Sequence, residues 1–317
     1  MMPLPRGGRI ELFMENSYLS YRLAQIFSRR LPRRFSYWLA LRIADRFFAE
    51  DEKGRRAVMA NLAHILQSKN VSASEETLRQ MARRTFQLFG KYLVDFFKFS
   101  RMTPAEVRRL VSIEHIDYLE QARSFDKGVI FIAAHLGNWE LGGAIMTALG
   151  YRLNVVFLPQ RLDKINRLFD QQRKERGIRL IPIGRAARGV LQALKRKECV
   201  VMLADRDFTA HHHMVNFFGK PALLSSGPAR IALRTKTPIV PAFVLRQPND
   251  TFLLRFYPPL IVREDSTLEE INLKIGAVME KEIAQHPEQW FIFDPFWQNN
   301  TARAVGAQPA GLRDGAK

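Results

Sequence analysis

The sequence predicts an α/β protein: a mixed, largely parallel central sheet flanked by helices, preceded by an N-terminal helical region. Up to Ser112 apolar residues recur at helical spacing, and after it short runs rich in Val, Ile and Phe alternate with helical stretches. The 317 residues, 47% of them hydrophobic, suffice for a substantial core. These textures divide the chain into a helical region at 1–112, an α/β region at 113–300 and a small-residue, glycine-containing tail at 301–317 that reads as disordered.

The elements follow in order. In "NSYLSYRLAQIFSRRLPRRFSYWLALRIADRFFAE" Leu19, Leu23, Ile26 and Phe27 share a helical face, Pro32 breaks the pattern, and a second helix carries Trp38 and Phe47. Nine arginines against four acidic residues in the first fifty positions, interleaved with Trp and Phe, suit helices lying in an anionic lipid interface. The alternative is that these helices cap the core with their arginines solvated. Helical texture continues to "MTPAEVRRL", where Thr103 before Pro104 reads as an N-cap and a first-turn proline. Strand-like "GVIFIAA", "NVVFL", "IRLIPI", "CVVMLAD", "TPIVPAFVLRQ" and "TFLLRFYPPL" are then separated by helical stretches, ending in "STLEEINLKIGAVMEKEIAQHP". Helices on both faces of such a sheet place ligands at the carboxyl ends of the strands.

The 49 Lys and Arg against 31 Asp and Glu leave a charge of +18, which draws nucleic acid, acidic lipid surfaces or an acidic carrier protein. The single cysteine, Cys199, permits no internal disulfide and reads as a buried strand thiol, which fits a reducing, cytosol-facing location. No run approaches the ~18 apolar residues of a spanning helix. The start "MMPLPRGGRIELF" also lacks a secretory layout.

Chemistry concentrates at "FIAAHLGNWELGG". His135 follows an apolar strand directly, and Asn138 reads as the N-cap of a helix whose first turn carries Glu140. A carboxylate on one imidazole nitrogen fixes the tautomer and leaves the other nitrogen to take a proton from a hydroxyl. Glu140 is the expected partner, and Gly137 would let the backbone approach a ligand. A His–Glu pair that only stabilises the turn is the competing reading. Arg230 and Arg234, one helical turn apart in "GPARIALRT", suit a phosphate clamp or a solvated face. His211, His212 and His213 are consecutive and alternate in direction, which argues against a metal site.

These motifs also carry a resemblance. "AAHLGNWELGG" is similar to the H-x4-D/E signature of bacterial lysophospholipid-type acyltransferases, in particular the late acyltransferases of lipid A biosynthesis and the related phosphatidylinositol mannoside acyltransferases. "AVMANL", "VVMLADRD", "FFGKPA", "SSGPARIALRT", "TPIVPAF" and "HPEQWFIFDPFW" follow in the expected order. The resemblance implies transfer of a fatty acyl chain from acyl carrier protein or coenzyme A to a glycolipid hydroxyl, most directly of a lipid A precursor, at the cytoplasmic face of the inner membrane and without a cofactor. It makes His135 the general base and Glu140 its partner and has Asp205, Arg206 and Asp207 line the site, the alternative being that the two aspartates cap the following loop and pair with nearby arginines; Gly137, Asn138 and Arg230 are the further substrate-binding candidates from the residues themselves. Leu158 stands before Pro159 where many lipid A enzymes have an arginine, so Arg161 is a displaced candidate for that role. The ending "FDPFW" is closer to the mannoside enzymes, which keeps another phosphoglycolipid or a lysophospholipid open as acceptor.

A basic nucleic-acid-binding protein would explain the charge but not the pairing of arginine with Trp and Phe, and the chain has no recognised nucleic-acid module. An inactive lipid-binding relative is disfavoured by the intact His135 and Glu140.

Overall fold

Helical periodicity in the first hundred residues produces α1 (Tyr18–Arg30), α2 (Arg33–Glu50), α3 (Glu52–Ser68) and α4 (Glu75–Phe99). The computed structural model describes residues 18–99, 102–159, 162–207 and 213–297, so Arg161, His211, His212 and the tail at 301–317 lie outside the described residues. Pro32 separates α1 from α2, and the Asp51 side chain accepts from the Gly54 backbone N–H at 3.1 Å to start α3. Thr103 caps α5 (Pro104–Leu110) in a full capping box: its hydroxyl accepts from Glu106 N, and the Glu106 carboxylate accepts from Thr103 N.

The sheet contains β1 (Val111–Glu114), β2 (Val129–Ala133), β3 (Leu153–Phe157), β4 (Arg179–Pro182), β5 (Cys199–Leu203), β8 (Ile239–Arg246) and β9 (Phe252–Phe256). Helices α6 (Asp117–Arg123), α7 (Trp139–Ala148), α8 (Asp163–Lys174), α9 (Ala186–Lys195), α10 (Gly227–Thr235) and α11 (Leu268–Gln285) complete the layers. The strand order is β1-β9-β8-β2-β5-β3-β4, with every neighbouring pair parallel except β8 and β9. From β2 the chain runs outward through β3 and β4, returns to β5 beside β2, and then crosses to β8 on the other side. That reversal falls at the carboxyl ends of β2 and β5, the position at which open α/β sheets bind ligands.

Alternation along β2 divides the core. Ile130 and Ile132 face one layer with Val190 of α9, Ala229 of α10 and Ile275 of α11, whereas Val129 and Phe131 face Leu141 and Ala144 of α7 and Leu119 of α6. All five β2 residues are buried, which is why the run is continuously apolar. A third cluster joins Phe48, Phe86 and Phe89 of the helical layer to Phe291 and Phe293.

A second, two-stranded sheet was not expected from sequence: β6 (His213–Phe217) and β7 (Lys220–Leu224) form an antiparallel hairpin. Its two-residue turn holds Phe218 at φ 53° and Gly219 at φ 77°, the left-handed pair that a tight hairpin requires, but without the usual Asn-Gly signature.

Candidate active site

The register of β2 and β5 builds the site. Ala133 lies opposite Leu203, and the Ala204 N–H donates to the Ala133 carbonyl at 2.9 Å. Two residues beyond that pair, the strands deliver His135 and Asp205 side by side. His135 Nδ1 lies 2.9 Å from Asp205 Oδ1, and the His135 backbone N–H donates to Asp205 Oδ2 at 2.8 Å. The Trp290 indole Nε1–H donates to the same Oδ2 at 2.9 Å.

The Asp205 side chain is wholly buried, whereas the His135 side chain is 21% exposed. Burial alone would raise the Asp205 carboxyl, but its electrostatic attraction to the His135 ring and the hydrogen bonds donated by His135 and Trp290 outweigh it and hold the group below the usual carboxylate range. An ionised carboxylate only accepts hydrogen bonds, so Nδ1 carries the imidazole proton and Nε2 keeps its lone pair. Trp139 meets the His135 ring edge-on at 5.2 Å, and Tyr92 of α4 stacks on Trp139 at 4.4 Å.

The carboxylate on the ring is therefore Asp205, where the sequence pointed to Glu140. Glu140 is turned to α8 and grips Arg173 with two parallel bonds, Nη2 to Oε1 at 2.6 Å and Nε to Oε2 at 3.1 Å. Two oxygens match the guanidinium fork better than they match a single imidazole N–H, which explains the choice of partner. Asn138 Oδ1 caps α7 by accepting from Leu141 N at 3.1 Å, and its Nδ2 finds no hydrogen-bond partner among the described residues. Gly137, at φ +63°, allows a close approach to protein rather than to ligand: an added Cβ would lie 2.0 Å from the Val244 carbonyl oxygen of β8.

The remaining candidates lie around the same strand ends. Arg206 pairs with Asp294, Asp207 is buried beside it, and exposed Arg230 near the start of α10 donates from Nε to Ser226 Oγ at 3.0 Å. Cys199 is buried at the other end of β5, where burial pushes its thiol up to about 12, so it is not an available nucleophile. Sequence reasoning missed Asp205 as the ring's partner, Arg173 as Glu140's and Trp290 as a donor. The matching ends of "VIFIAAH" and "CVVMLAD", each five strand residues, an alanine and a polar residue, contained the signal for the first.

Residues 19–299 match the model of the bacterial lipid A biosynthesis acyltransferases. The chain is 22% identical to a phosphatidylinositol mannoside acyltransferase of Mycobacterium tuberculosis (strain CDC 1551 / Oshkosh), covering 97% of this chain and 96% of that protein. It is 21% identical to one from Mycolicibacterium smegmatis over 79% of this chain and 82% of that protein. It is 23% identical to the lipid A biosynthesis palmitoleoyltransferase of Escherichia coli over 68% of this chain and 71% of that protein.

Proposed function

Because the chain belongs to the bacterial lipid A biosynthesis acyltransferase family, we propose that it transfers a fatty acyl chain from an acyl thioester to a hydroxyl of a membrane glycolipid, with Asp205 and His135 as the base pair. The observation that carries this reading is the His135 Nδ1 contact with buried, ionised Asp205, because it leaves Nε2 as the proton acceptor.

In this mechanism the glycolipid hydroxyl gives its proton to Nε2 as its oxygen attacks the thioester carbonyl carbon. The C–O bond forms, the tetrahedral intermediate collapses, the C–S bond breaks, and the imidazolium returns the proton to the leaving thiolate. Asp205 stays ionised throughout and stabilises the imidazolium. The Glu140–Arg173 pair ties α7 to α8 and so fixes Trp139 against the His135 ring.

The donor is acyl carrier protein or acyl-coenzyme A, both of which suit the +18 charge. The acceptor is a lipid A precursor. A phosphatidylinositol mannoside or similar phosphoglycolipid is the second reading, favoured by the nearly full-length similarity to the mannoside acyltransferases. Mass spectrometry of lipids from cells with and without the protein decides between them. A glycolipid gaining one acyl chain identifies the acceptor, and an unchanged glycolipid profile overturns the reading.

Membrane contact falls to α1 and α2. Tyr21, Gln25 and Ser28 turn one face of α1 inward, while Leu19, Leu23, Ile26 and Phe27 are exposed on the other, as are Phe35, Trp38 and Ile43 of α2. An apolar face turned to solvent beside Arg30, Arg34, Arg42 and Arg46 matches the interface of an anionic bilayer. Among the described residues no helix is long and apolar enough to cross a membrane; the association proposed through these two helices is peripheral or monotopic, at the cytoplasmic leaflet. Leu19→Glu, Leu23→Glu and Trp38→Glu together are expected to lower co-sedimentation with anionic liposomes about tenfold or more. Undiminished binding would assign the membrane contact to another surface.

A further inference from the structure

The C-terminal segment beyond α11 crosses the carboxyl edge of the sheet and touches both members of the base pair. The Gly137 N–H donates to the Gln289 carbonyl at 2.9 Å, the Phe291 N–H donates to the His135 carbonyl at 2.8 Å, and Leu136 bridges to Trp290. The Trp290 side chain then reaches Asp205 Oδ2.

Both ends of this segment are anchored. The Gln289 amide exchanges two 2.9 Å bonds with the Arg246 backbone, donating from Nε2 and accepting at Oε1. Beyond Trp290, Asn61 Nδ2 donates to the carbonyls of Ile292 and Asp294, and the Phe296 N–H donates to Asn61 Oδ1. The indole is 3% exposed and packs against Phe296 and Trp297 with centroids at 4.9 and 6.0 Å. Its N–H is therefore held in place by anchors that do not depend on the His135 side chain.

That independence matters. Of the donors that reach Asp205, two belong to His135 itself, the backbone N–H and Nδ1. Trp290 is, among the described residues, the one donor that comes from elsewhere. Without it the carboxylate would be located only by the residue it orients. The indole bond also makes Asp205 a weaker base, which keeps the shared proton on Nδ1 when Nε2 accepts the second one.

We propose that Trp290 is a positioning residue of the acyl transfer, aiming the Asp205 carboxylate at His135 Nδ1 and making the C-terminal segment part of the catalytic apparatus. This rests on the assignment of Asp205 and His135 as the base pair. The titratable group facing Asp205 is His135; Arg206, next in the chain, is turned to Asp294.

The test uses full-length protein with Trp290→Phe and, at the same position, 3-benzothienylalanine, whose sulfur replaces the indole N–H within the same shape. The readouts are kcat, KM for the acyl thioester, the pH profile of kcat, and the thermal unfolding midpoint. Loss of the donor should lower kcat about tenfold or more while KM stays within about twofold. The acid limb should move to higher pH, because a carboxylate deprived of a donor binds its proton more tightly. A merely structural role would lower the amount of active enzyme without moving that limb. Wild-type kcat in the benzothienyl protein, or a fall in kcat with an unmoved acid limb, overturns the inference. If Trp290→Phe unfolds, the benzothienyl protein alone is decisive. Asp205→Asn assayed in parallel separates the two levels. A fully active Asp205→Asn removes the base-pair reading itself, whereas an inactive one beside a wild-type benzothienyl protein removes only the role of Trp290.

Discussion

His135→Ala is expected to leave a folded protein whose acyl-transfer rate is about a thousandfold or more below wild type. General-base removal costs about 10²–10⁴ in rate, and truncating the partly buried ring, 21% exposed, adds a packing loss that falls on stability. The substitution does strip Asp205 of its Nδ1–H donor, so a destabilisation of about 1–3 kcal/mol accompanies it. Asp205 keeps the His135 backbone N–H and the Trp290 N–H, which is why the fold should survive. Acyl transfer from a labelled thioester, measured beside circular dichroism, separates lost chemistry from lost structure. A folded His135→Ala protein within tenfold of wild type would falsify the mechanism.

Asp205→Asn probes the same mechanism through the tautomer. The amide keeps the carboxylate's size, but its NH₂ can donate to Nδ1, which places the imidazole proton on Nε2 and removes the base. A fall of about 10³–10⁴ in kcat is the expected cost. Glu140→Gln should cost less, because Glu140 acts at one remove through Arg173 and the seating of Trp139.

What the sequence revealed, and what it concealed, follows from the range of the forces involved. Strand and helix periodicity is local, so the layered architecture, the position of His135 at a strand end and the Asn138 cap could be read directly. The partner of His135 could not be chosen that way. Glu140 lies five residues away and Asp205 seventy, and it is the pairing of β2 with β5, a long-range event, that brings the distant carboxylate into contact. Glu140 is withdrawn by an arginine thirty-three residues further on, another contact that spacing does not encode. The β6–β7 hairpin escaped for a different reason: Phe218 adopts a left-handed conformation that its residue type does not advertise. "HPEQWFIFDPFW" was conspicuous as a motif, but it forms no ladder, and its contribution rests on single backbone groups and one indole N–H.

Asp95→Ala is expected to lower stability by about 3–5 kcal/mol, the cost of breaking a buried ion pair from one side. Asp95 lies on α4 with its side chain 1% exposed and pairs with Arg246 of β8, itself 6% exposed. The Tyr37 hydroxyl of α2 donates to Asp95 at 2.5 Å while accepting from Arg246 at 2.9 Å and from Arg33 at 2.7 Å. Asp250, in the turn between β8 and β9, takes bonds from Arg246 and from Lys91 of α4. Removing Asp95 leaves Arg246 buried with the partly exposed Asp250 as its counter-charge, and leaves the Tyr37 hydroxyl without its acceptor. Replacing both partners by apolar side chains, Asp95→Leu with Arg246→Met, should recover much of the loss, because the cost lies in the uncompensated charge. Chemical denaturation of the three proteins measures this, and a loss below about 1 kcal/mol in Asp95→Ala would mean that solvent reaches the cluster. The effect should extend to activity, since α4 also carries Tyr92, whose ring supports Trp139 against His135. Loosening α2 and α4 from the sheet would therefore disturb both the proposed membrane face and the backing of the base, so Asp95→Ala should reduce liposome binding and kcat together, whereas His135→Ala should reduce only kcat.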